Sequence, residues 1–159
     1  MRMMLGNQIC LVTGGSRGIG KGIVKTLSEK GYKVAFTFNN KEQLAKDLEK
    51  QLNGNGGNVK SFQMLIEDRK SVVSALAEIK NHFNGFISVL VNNAAIAQEK
   101  PFDKITDIDW KTMLKVNLQG PFICSQEALP DMIKNRWGRI VNITSIGGQW
   151  GGFNQVHYA

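Results

Sequence analysis

The segment TGGSRGIG, residues 13–20, contains the residues whose types and spacing most directly predict chemistry. It lies between an apolar run and a stretch with helical spacing, so the chain is expected to turn there from a strand into a helix. Glycines at such a junction allow a sharp turn and a close approach of backbone to a phosphate, and the helix N-terminus adds free N–H groups. We therefore predict that this loop binds the pyrophosphate of a dinucleotide. The predicted contacts are Gly14, Gly15, Ser16, Arg17, Gly18, Ile19 and Gly20.

The segment after the second predicted strand indicates which dinucleotide would bind. An NAD site usually carries a carboxylate about 20 residues after the glycines, where the acid holds the ribose hydroxyls. Here residues 38–41 read FNNK, and the first acid is Glu42. Arg17 adds a positive charge in the loop itself, for which the alternative interpretation is an ordinary surface charge. Because no carboxylate would repel a 2′-phosphate, the sequence favours NADP(H).

Short apolar runs alternate with amphipathic stretches along the whole chain. Strands are predicted at 9–12, 34–38, 59–66, 87–91 and 139–145, with helices around 19–27, 44–52 and 72–79 and a long helix at 107–136 interrupted by Pro121 and Pro130. This alternation predicts a Rossmann-type α/β fold, a doubly wound parallel sheet covered by helices on both faces. The near-continuous apolar strands agree, because parallel strands are buried on both sides.

Composition limits the classes of protein to consider. A chain of 159 residues is predicted to be one domain or part of a larger one. The formal net charge is +7, but the lysines are scattered along polar helix faces, so no nucleic-acid partner is predicted. No run approaches the roughly 20 apolar residues of a membrane span, and residues 1–7 do not read as a signal peptide, which favours a cytoplasmic protein. Cys10 and Cys124 lie in apolar segments and are expected to be buried, with no metal site and no disulfide.

Further motifs occur in the order and spacing of a known family. They are VNNAA at 91–95, VNL at 116–118, GRIVNITS at 138–145, and Tyr158 thirteen residues after Ser145. Together with the glycine segment they resemble the short-chain dehydrogenase/reductase family, and within it the bacterial reductases of 3-oxoacyl thioesters. The resemblance implies an NADPH-dependent reduction in fatty-acid synthesis, with an acyl thioester substrate and an acyl carrier protein as a candidate partner. It also implies a homotetramer built partly through the long helix.

The resemblance further implies catalytic roles for three residues. Tyr158 would protonate the carbonyl oxygen as hydride reaches the carbon, Ser145 would hold that oxygen, and Asn117 would hold a helix irregularity and a water of the proton relay. A free phenol has a pKa of about 10 and needs a neighbouring positive charge to act near neutral pH. Each residue alone has an ordinary alternative: Asn117 as a polar helix residue, Ser145 as a strand-end cap, Tyr158 as packing. Their joint spacing favours the catalytic interpretation.

By the same resemblance, other residues are expected around the cofactor. Ser16 and Arg17 would meet the 2′-phosphate with Asn39 close by, Leu65 and Ile66 would border the adenine, and Asn93 would border the adenosine ribose. Two positions depart from the family pattern. Leu65 stands where Asp or Asn is usual, which removes an acceptor for the adenine amino group, and Ala95 replaces a glycine beside the cofactor.

The chain ends one residue after Tyr158. In the family that it resembles, a lysine follows the tyrosine by four residues, and further strands, helices and a loop over the substrate come after it. We therefore expect residues 1–159 to be a fragment, a single incomplete NADP-binding domain whose fifth strand is an exposed apolar edge. This fragment alone is expected to turn over poorly and to be poorly soluble.

Two other functions stay open on the sequence alone. One is a reductase of the same family acting on acetoacetyl-CoA, a sugar or a steroid-like ketone, because the substrate-selecting residues lie mostly beyond Ala159. The other is a non-catalytic NADP-binding or partner-binding module, in which the short chain is genuine. Sequencing past the codon for Ala159 separates the two classes, since a lysine four residues after Tyr158 supports the enzyme and a stop supports the module.

Overall fold

The computed structural model describes residues 8–159. Five strands form a parallel sheet in the order β3-β2-β1-β4-β5. They are β1 (Ile9–Val12), β2 (Lys33–Phe38), β3 (Asn58–Gln63), β4 (Ile87–Asn92) and β5 (Arg139–Asn142). The strand order reverses between β1 and β4, as it does in Rossmann-type sheets, so the predicted α/β fold is confirmed.

Helices connect successive strands and cover both faces of the sheet. They are α1 (Gly18–Glu29), α2 (Glu42–Gly54), α3 (Arg69–Phe83), α4 (Asp107–Leu114), α5 (Gly120–Lys134) and the short α6 (Gly147–Trp150). One apolar core contains residues of α3 and α5, and a second contains residues of α1 and α2. Ile9 and Leu11 belong to the first core and Val12 to the second, as the side-chain alternation of a strand requires.

Both cysteines are part of this packing. Cys10 and Cys124 are free and buried, as predicted. Burial raises the pKa of each thiol to about 12, so both are uncharged near neutral pH.

Two predicted strands are shorter than expected. The β3 ladder ends at Gln63 rather than Ile66, although the Met64 N–H still donates to Phe38 O at 2.9 Å. A turn follows, in which the Asp68 N–H donates to Leu65 O at 3.1 Å. The Asp68 side chain then caps α3, and this local hydrogen bonding ends the strand early. β5 ends at Asn142 rather than 145.

The long helix predicted at 107–136 is interrupted next to Pro121, as predicted, but not at Pro130, and the interruption contains Asn117, where an irregularity was expected. A π-helical turn at Lys115–Gln119 separates α4 from α5, immediately before Pro121. Pro121 has no N–H to donate to the carbonyl four residues earlier, which is consistent with a wider turn at this point. Pro130, in contrast, lies inside α5 without ending it. Buried Ala128 and Met132 on either side of Pro130 hold the helix against the sheet.

The two edges of the sheet differ. At β5 all four residues are exposed, including Ile140 at 37% and Val141 at 45%. At β3, side chains of α2 bond to the outward-facing backbone instead. Asn53 donates to Val59 O and accepts from the Val59 N–H, both at 2.9 Å.

Glu49 adds a second contact to the β3 edge. Its carboxylate accepts from the Ser61 N–H at 2.8 Å and from Lys60 Nζ at 2.8 Å. Burial alone would raise the pKa of Glu49, but the hydrogen bonds from Lys60 and Ser61 outweigh it and hold the pKa below its ordinary value. The contact therefore stabilises the fold fully above about pH 4.3, and this stabilisation is lost as the pH falls through the lowered pKa.

We expect Asn53→Ala to lower the free energy of unfolding by about 1 kcal/mol, because it leaves two backbone groups of β3 without partners. It should also increase self-association, since an unpaired edge can pair with another chain. Urea denaturation and sedimentation measure the two effects. Asn55→Ala is the matched control, because Asn55 is exposed at the end of the same helix and only its backbone bonds to the helix. Equal behaviour of the two variants would show that the side-chain contact does not protect the edge.

Candidate cofactor and active site

A cavity of about 660 Å³ opens at the carboxyl ends of the strands, beside the point where the strand order reverses. This is the position at which open parallel sheets bind ligands. Nine of the residues predicted to bind the cofactor line it: Gly14, Ser16, Arg17, Gly18, Ile19, Gly20, Asn39, Ile66 and Asn93. The lining also includes Ala94 and Ala95, the last two residues of the VNNAA motif at the end of β4.

Two residues of the predicted set lie outside this lining. Gly15 is buried beneath the loop, where an added Cβ would lie 2.5 Å from the Phe36 Cβ, so its role is to let the loop pack on β2. Leu65 lies in the turn after β3 and is 39% exposed. The next residue, Ile66, is the one that lines the cavity.

The backbone of the glycine loop is arranged to bind an anion. Gly14 has φ +64°, a left-handed conformation that turns the chain sharply out of β1. Within residues 8–159 the N–H groups of Gly18, Ile19 and Gly20 make no hydrogen bond, and the first turn of α1 contains no acid. Three free donors and the positive end of the helix dipole together suit a pyrophosphate.

Gly20 allows α1 to approach the sheet closely. A Cβ added at this position would lie 2.4 Å from Gly14 O and 2.5 Å from Asn93 Nδ2. No side chain fits at those distances, so any larger residue must move the helix away from the loop. The position of the free N–H groups of α1 relative to the loop therefore depends on this contact.

Thr13 joins the glycine loop to the segment after β4. Its hydroxyl accepts from the N–H groups of Asn93 and Ala94, both at 3.0 Å, and is 1% exposed. The Asn93 amide donates in turn to Thr13 O at 2.9 Å and to Gly14 O at 3.1 Å. Asn93, predicted to border the ribose, thus also holds the two sides of the cavity together.

We expect Thr13→Val to weaken cofactor binding and to lower the free energy of unfolding by about 1–3 kcal/mol. Valine has a similar shape but no acceptor, so the N–H groups of Asn93 and Ala94 would lose their partner. Thr13→Ser keeps the hydroxyl and is the matched control. Both variants are compared by chemical denaturation and by NADPH titration. A valine variant as stable as the serine variant would show that the Thr13 hydroxyl does not stabilise the segment after β4.

The charges in the lining are mostly positive. Arg17 and Lys41 are basic, Asn39 and Asn40 at the end of β2 are neutral, and Glu67 is the one acid lining the cavity within residues 8–159. The residues directly after β2 that line the cavity therefore include no acid, in agreement with the sequence. Glu67 was not foreseen, because the sequence gives no sign that the turn after β3 brings this residue to the rim.

The π-helical turn holds Asn117 against the loop that follows β4. Its amide Nδ2 donates to Ile96 O at 2.8 Å, and its Oδ1 accepts from the Ile96 N–H at 2.9 Å. This pair of bonds fixes the backbone of Ile96, which also lines the cavity. Asn117 therefore positions the loop beside the cofactor cavity.

Ser145 and Tyr158 are brought together at Gly147. The Ser145 hydroxyl accepts from the Gly147 N–H at 3.1 Å. A Cβ added to Gly147 would lie 3.3 Å from both Ser145 Oγ and Tyr158 Cε1, so the hydroxyl and the phenol ring approach the same point of the backbone. A hydroxyl beside a phenol can bind and protonate a carbonyl oxygen.

The final turn, which carries Tyr158, packs on the same loop as Asn117. The Lys100 N–H donates to Asn154 O at 2.7 Å, and His157 Nε2 lies 2.8 Å from Gln98 Oε1. His157 is 5% exposed. The segment 96–100 therefore contacts Asn117 on one side and the turn of Tyr158 on the other.

Two further kinds of feature are absent from residues 8–159. None of the helices in this part of the chain combines the length and the apolar character needed to cross a bilayer. Within residues 8–159, no three His, Cys, Asp or Glu side chains come close enough to share a metal ion.

Comparison with known proteins agrees with this geometry. The family profile described as short chain dehydrogenase matches residues 8–159. A 3-oxoacyl-[acyl-carrier-protein] reductase of Aquifex aeolicus is 40% identical over 159 residues, which are 100% of this chain and 64% of the relative. The protein of the same name from Salmonella typhimurium is 36% identical over 99% of this chain and 62% of its own length. The one from Staphylococcus aureus is 34% identical over 93% of this chain and 60% of its own length.

The chain therefore spans less than two thirds of the length of these relatives. The match nevertheless includes every element described above, from β1 to the turn of Tyr158. On this match, and on the glycine loop at the first strand–helix junction, the chain belongs to the short-chain dehydrogenase family.

Proposed function

We propose that the protein is an NADPH-dependent oxidoreductase that reduces the keto group of a 3-oxoacyl thioester. The observation that carries the proposal is the cavity at the carboxyl ends of the strands, in which free N–H groups of the α1 N-terminus and two basic side chains face one space. Such a site suits a phosphorylated dinucleotide, and a reduced nicotinamide bound there would supply a hydride. The residues that would hold the pyrophosphate are Gly18, Ile19 and Gly20.

The choice of NADP(H) over NAD(H) is supported by charge. Arg17 precedes α1, is exposed, and makes no hydrogen bond or ion pair to another side chain within residues 8–159. Together with Lys41 it is available to a 2′-phosphate, and no carboxylate follows β2 to compete for it. Ser16 and Asn39 line the same region and would add neutral hydrogen bonds.

We expect Arg17→Ala to raise the dissociation constant for NADPH by about tenfold to a hundredfold and to change that for NADH little. The reason is that a charge-assisted hydrogen bond contributes about 1.5–3 kcal/mol, and only NADPH carries the 2′-phosphate. Lys21→Ala is the control, because Lys21 is a nearby cation of α1 that does not line the cavity. Equal weakening of NADPH and NADH by Arg17→Ala would show that Arg17 does not read the 2′-phosphate.

We assign donation of the proton to Tyr158 and orientation of the substrate carbonyl to Ser145. This assignment is supported by Gly147, whose N–H donates to the Ser145 hydroxyl and beside which the Tyr158 ring lies. Asn117 is proposed to act as a positioning residue through Ile96. A substrate oxygen held by Ser145 would receive the phenol proton as negative charge develops on it.

Substrate, partner and assembly are proposed from the relatives and the surface. The three relatives are named as 3-oxoacyl-[acyl-carrier-protein] reductases, and the net charge of +7 would suit an acidic acyl carrier. The exposed face of α4 and α5 carries Trp110, Phe122 and Ile133, at 47%, 58% and 66% exposure. An apolar face of this kind supports the proposed homotetramer, built partly through these helices.

The test of the proposed function is oxidation of NADPH by the full-length protein, followed by its absorbance, with a panel of keto substrates. A 3-oxoacyl thioester on a carrier protein should be reduced faster than the same acyl group on coenzyme A or than an unrelated cyclic ketone. Faster reduction of acetoacetyl-CoA or of a sugar would change the proposed substrate and leave the proposed class of enzyme unchanged. Tight binding of NADPH without oxidation in any assay would favour a binding module instead.

A further inference from the structure

Glu67 is an acid in a cavity whose proposed ligand is an anion. Among the cavity-lining residues of the described chain it is the one carboxylate, and Arg17 and Lys41 are the cations. A carboxylate beside a phosphorylated dinucleotide is repulsive unless it faces a hydrogen-bond donor of that ligand. Glu67 is therefore expected to face a hydrogen-bond donor of the ligand and not one of its phosphates.

The backbone around Glu67 is fixed from several directions. The Met64 N–H continues the ladder to Phe38 O at 2.9 Å, and the Leu65 N–H donates to Ser71 Oγ at 2.9 Å. On the other side, a Cβ on Gly120 would lie 2.8 Å from Ile66 Cδ1, so the start of α5 packs directly on Ile66. Glu67 is thus held at the rim of the cavity next to an apolar side chain.

The carboxylate oxygens of Glu67 are available to accept hydrogen bonds from a ligand. Within residues 8–159 its half-buried side chain makes no hydrogen bond and no ion pair, whereas the adjacent Asp68 is engaged in capping α3. Arg69 is not its partner either, because that guanidinium bonds to Gln126 and Glu127 of α5. Nothing in the described chain therefore uses the carboxylate that lines the cavity.

The neighbours of Glu67 suit a flat aromatic base. Met64 and Ile66, close to Glu67 in the chain, also line the cavity, are 2% and 5% exposed, and would cover one side of such a ring. Leu65, which was expected to border the adenine, lies outside the lining and has no acceptor. A base whose edge carries an amino group would donate to the one acceptor placed there.

We propose that Glu67 accepts a hydrogen bond from the exocyclic amino group of the adenine of NADP(H), and that it selects adenine over a base with an oxygen at that position. This inference rests on the proposed function only in that the cavity must bind NADP(H). The hypoxanthine analogue of NADPH carries a carbonyl oxygen in place of the amino group. That oxygen would meet the carboxylate as one acceptor against another, so its binding is penalised.

The experiment is an equilibrium titration of the full-length protein, monitored by nicotinamide fluorescence, with NADPH and with its hypoxanthine analogue. The original protein should bind NADPH about tenfold more tightly than the analogue. Glu67→Ala should bring this ratio close to one. Glu67→Gln should do the same while improving binding of the analogue, because an amide can donate to the carbonyl as well as accept from the amino group. Asp47→Ala, an exposed acid of α2 outside the lining, should leave the ratio unchanged.

Each outcome separates this inference from the function on which it rests. A ratio that Glu67→Ala does not change, or an equal loss of affinity for both ligands, would overturn the role of Glu67 and leave the cofactor site intact. Failure of the original protein to bind either ligand would instead overturn the proposed function.

Discussion

Replacing Gly20 with alanine should raise the dissociation constant for NADPH at least about a hundredfold. The added Cβ would lie 2.4 Å from Gly14 O and 2.5 Å from Asn93 Nδ2, well inside contact distance. Neither atom is the end of a flexible side chain free to move, since Gly14 O is backbone and Asn93 Nδ2 bonds to Thr13 O. The helix must therefore shift, and its free N–H groups move away from the phosphates that they are proposed to bind.

The matched control is Gly22→Ala in the same helix. Gly22 has no atom within 4 Å of an added Cβ, so alanine fits there and should stabilise α1 by about 0.5–1 kcal/mol through its higher helix propensity. Fluorescence titration and thermal denaturation of both variants give the two readouts. Normal NADPH binding by Gly20→Ala would contradict the assignment of the loop as the phosphate site.

Replacing Tyr158 with phenylalanine should lower kcat for reduction of the keto substrate by about a hundredfold to ten-thousandfold in the full-length protein. Phenylalanine keeps the ring that packs near Gly147 but has no proton to donate, and general acid catalysis contributes about this much. Binding of NADPH should stay within about twofold, because Tyr158 does not line the cofactor cavity.

Tyr32→Phe provides the comparison for loss of a phenol hydroxyl elsewhere. Tyr32 packs against the core formed by α1 and α2, away from Ser145, and its removal should leave kcat unchanged. Steady-state kinetics with saturating NADPH distinguish the two variants. If Tyr158→Phe retained most of its turnover, another group would have to supply the proton.

The fold and the conformation of the glycine loop could be predicted from the sequence because their signals are local. A buried β1 next to a glycine cluster and a helix defines the loop within about 20 residues, and local hydrogen bonding then places Gly14 and Gly20 as expected. The lack of an acid after β2 is likewise readable directly. The resemblance added Asn117, Ser145 and Tyr158. Of these, Ser145 and Tyr158 both lie beside Gly147, whereas Asn117 bonds to Ile96.

What could not be read from the sequence depends on small shifts at the ends of elements. The apolar pattern predicts that β3 ends at Ile66, but the strand ends at Gln63, before the turn that leads to the Asp68 cap of α3, and Leu65 is exposed. That same turn brings Glu67 to the cavity. The bonds between Asn117 and Ile96 also depend on the π-helical turn, whose presence hydrophobic spacing alone does not reveal.

The most direct test of the central claim is a fluorescence titration of the full-length protein with NADPH, repeated with NADH. The prediction is saturation at one NADPH per chain, competition by NADP⁺, and binding of NADH about tenfold weaker or more, because only NADPH offers a 2′-phosphate to Arg17 and Lys41. A flat titration with NADPH, or equal affinity for both nucleotides, would contradict it.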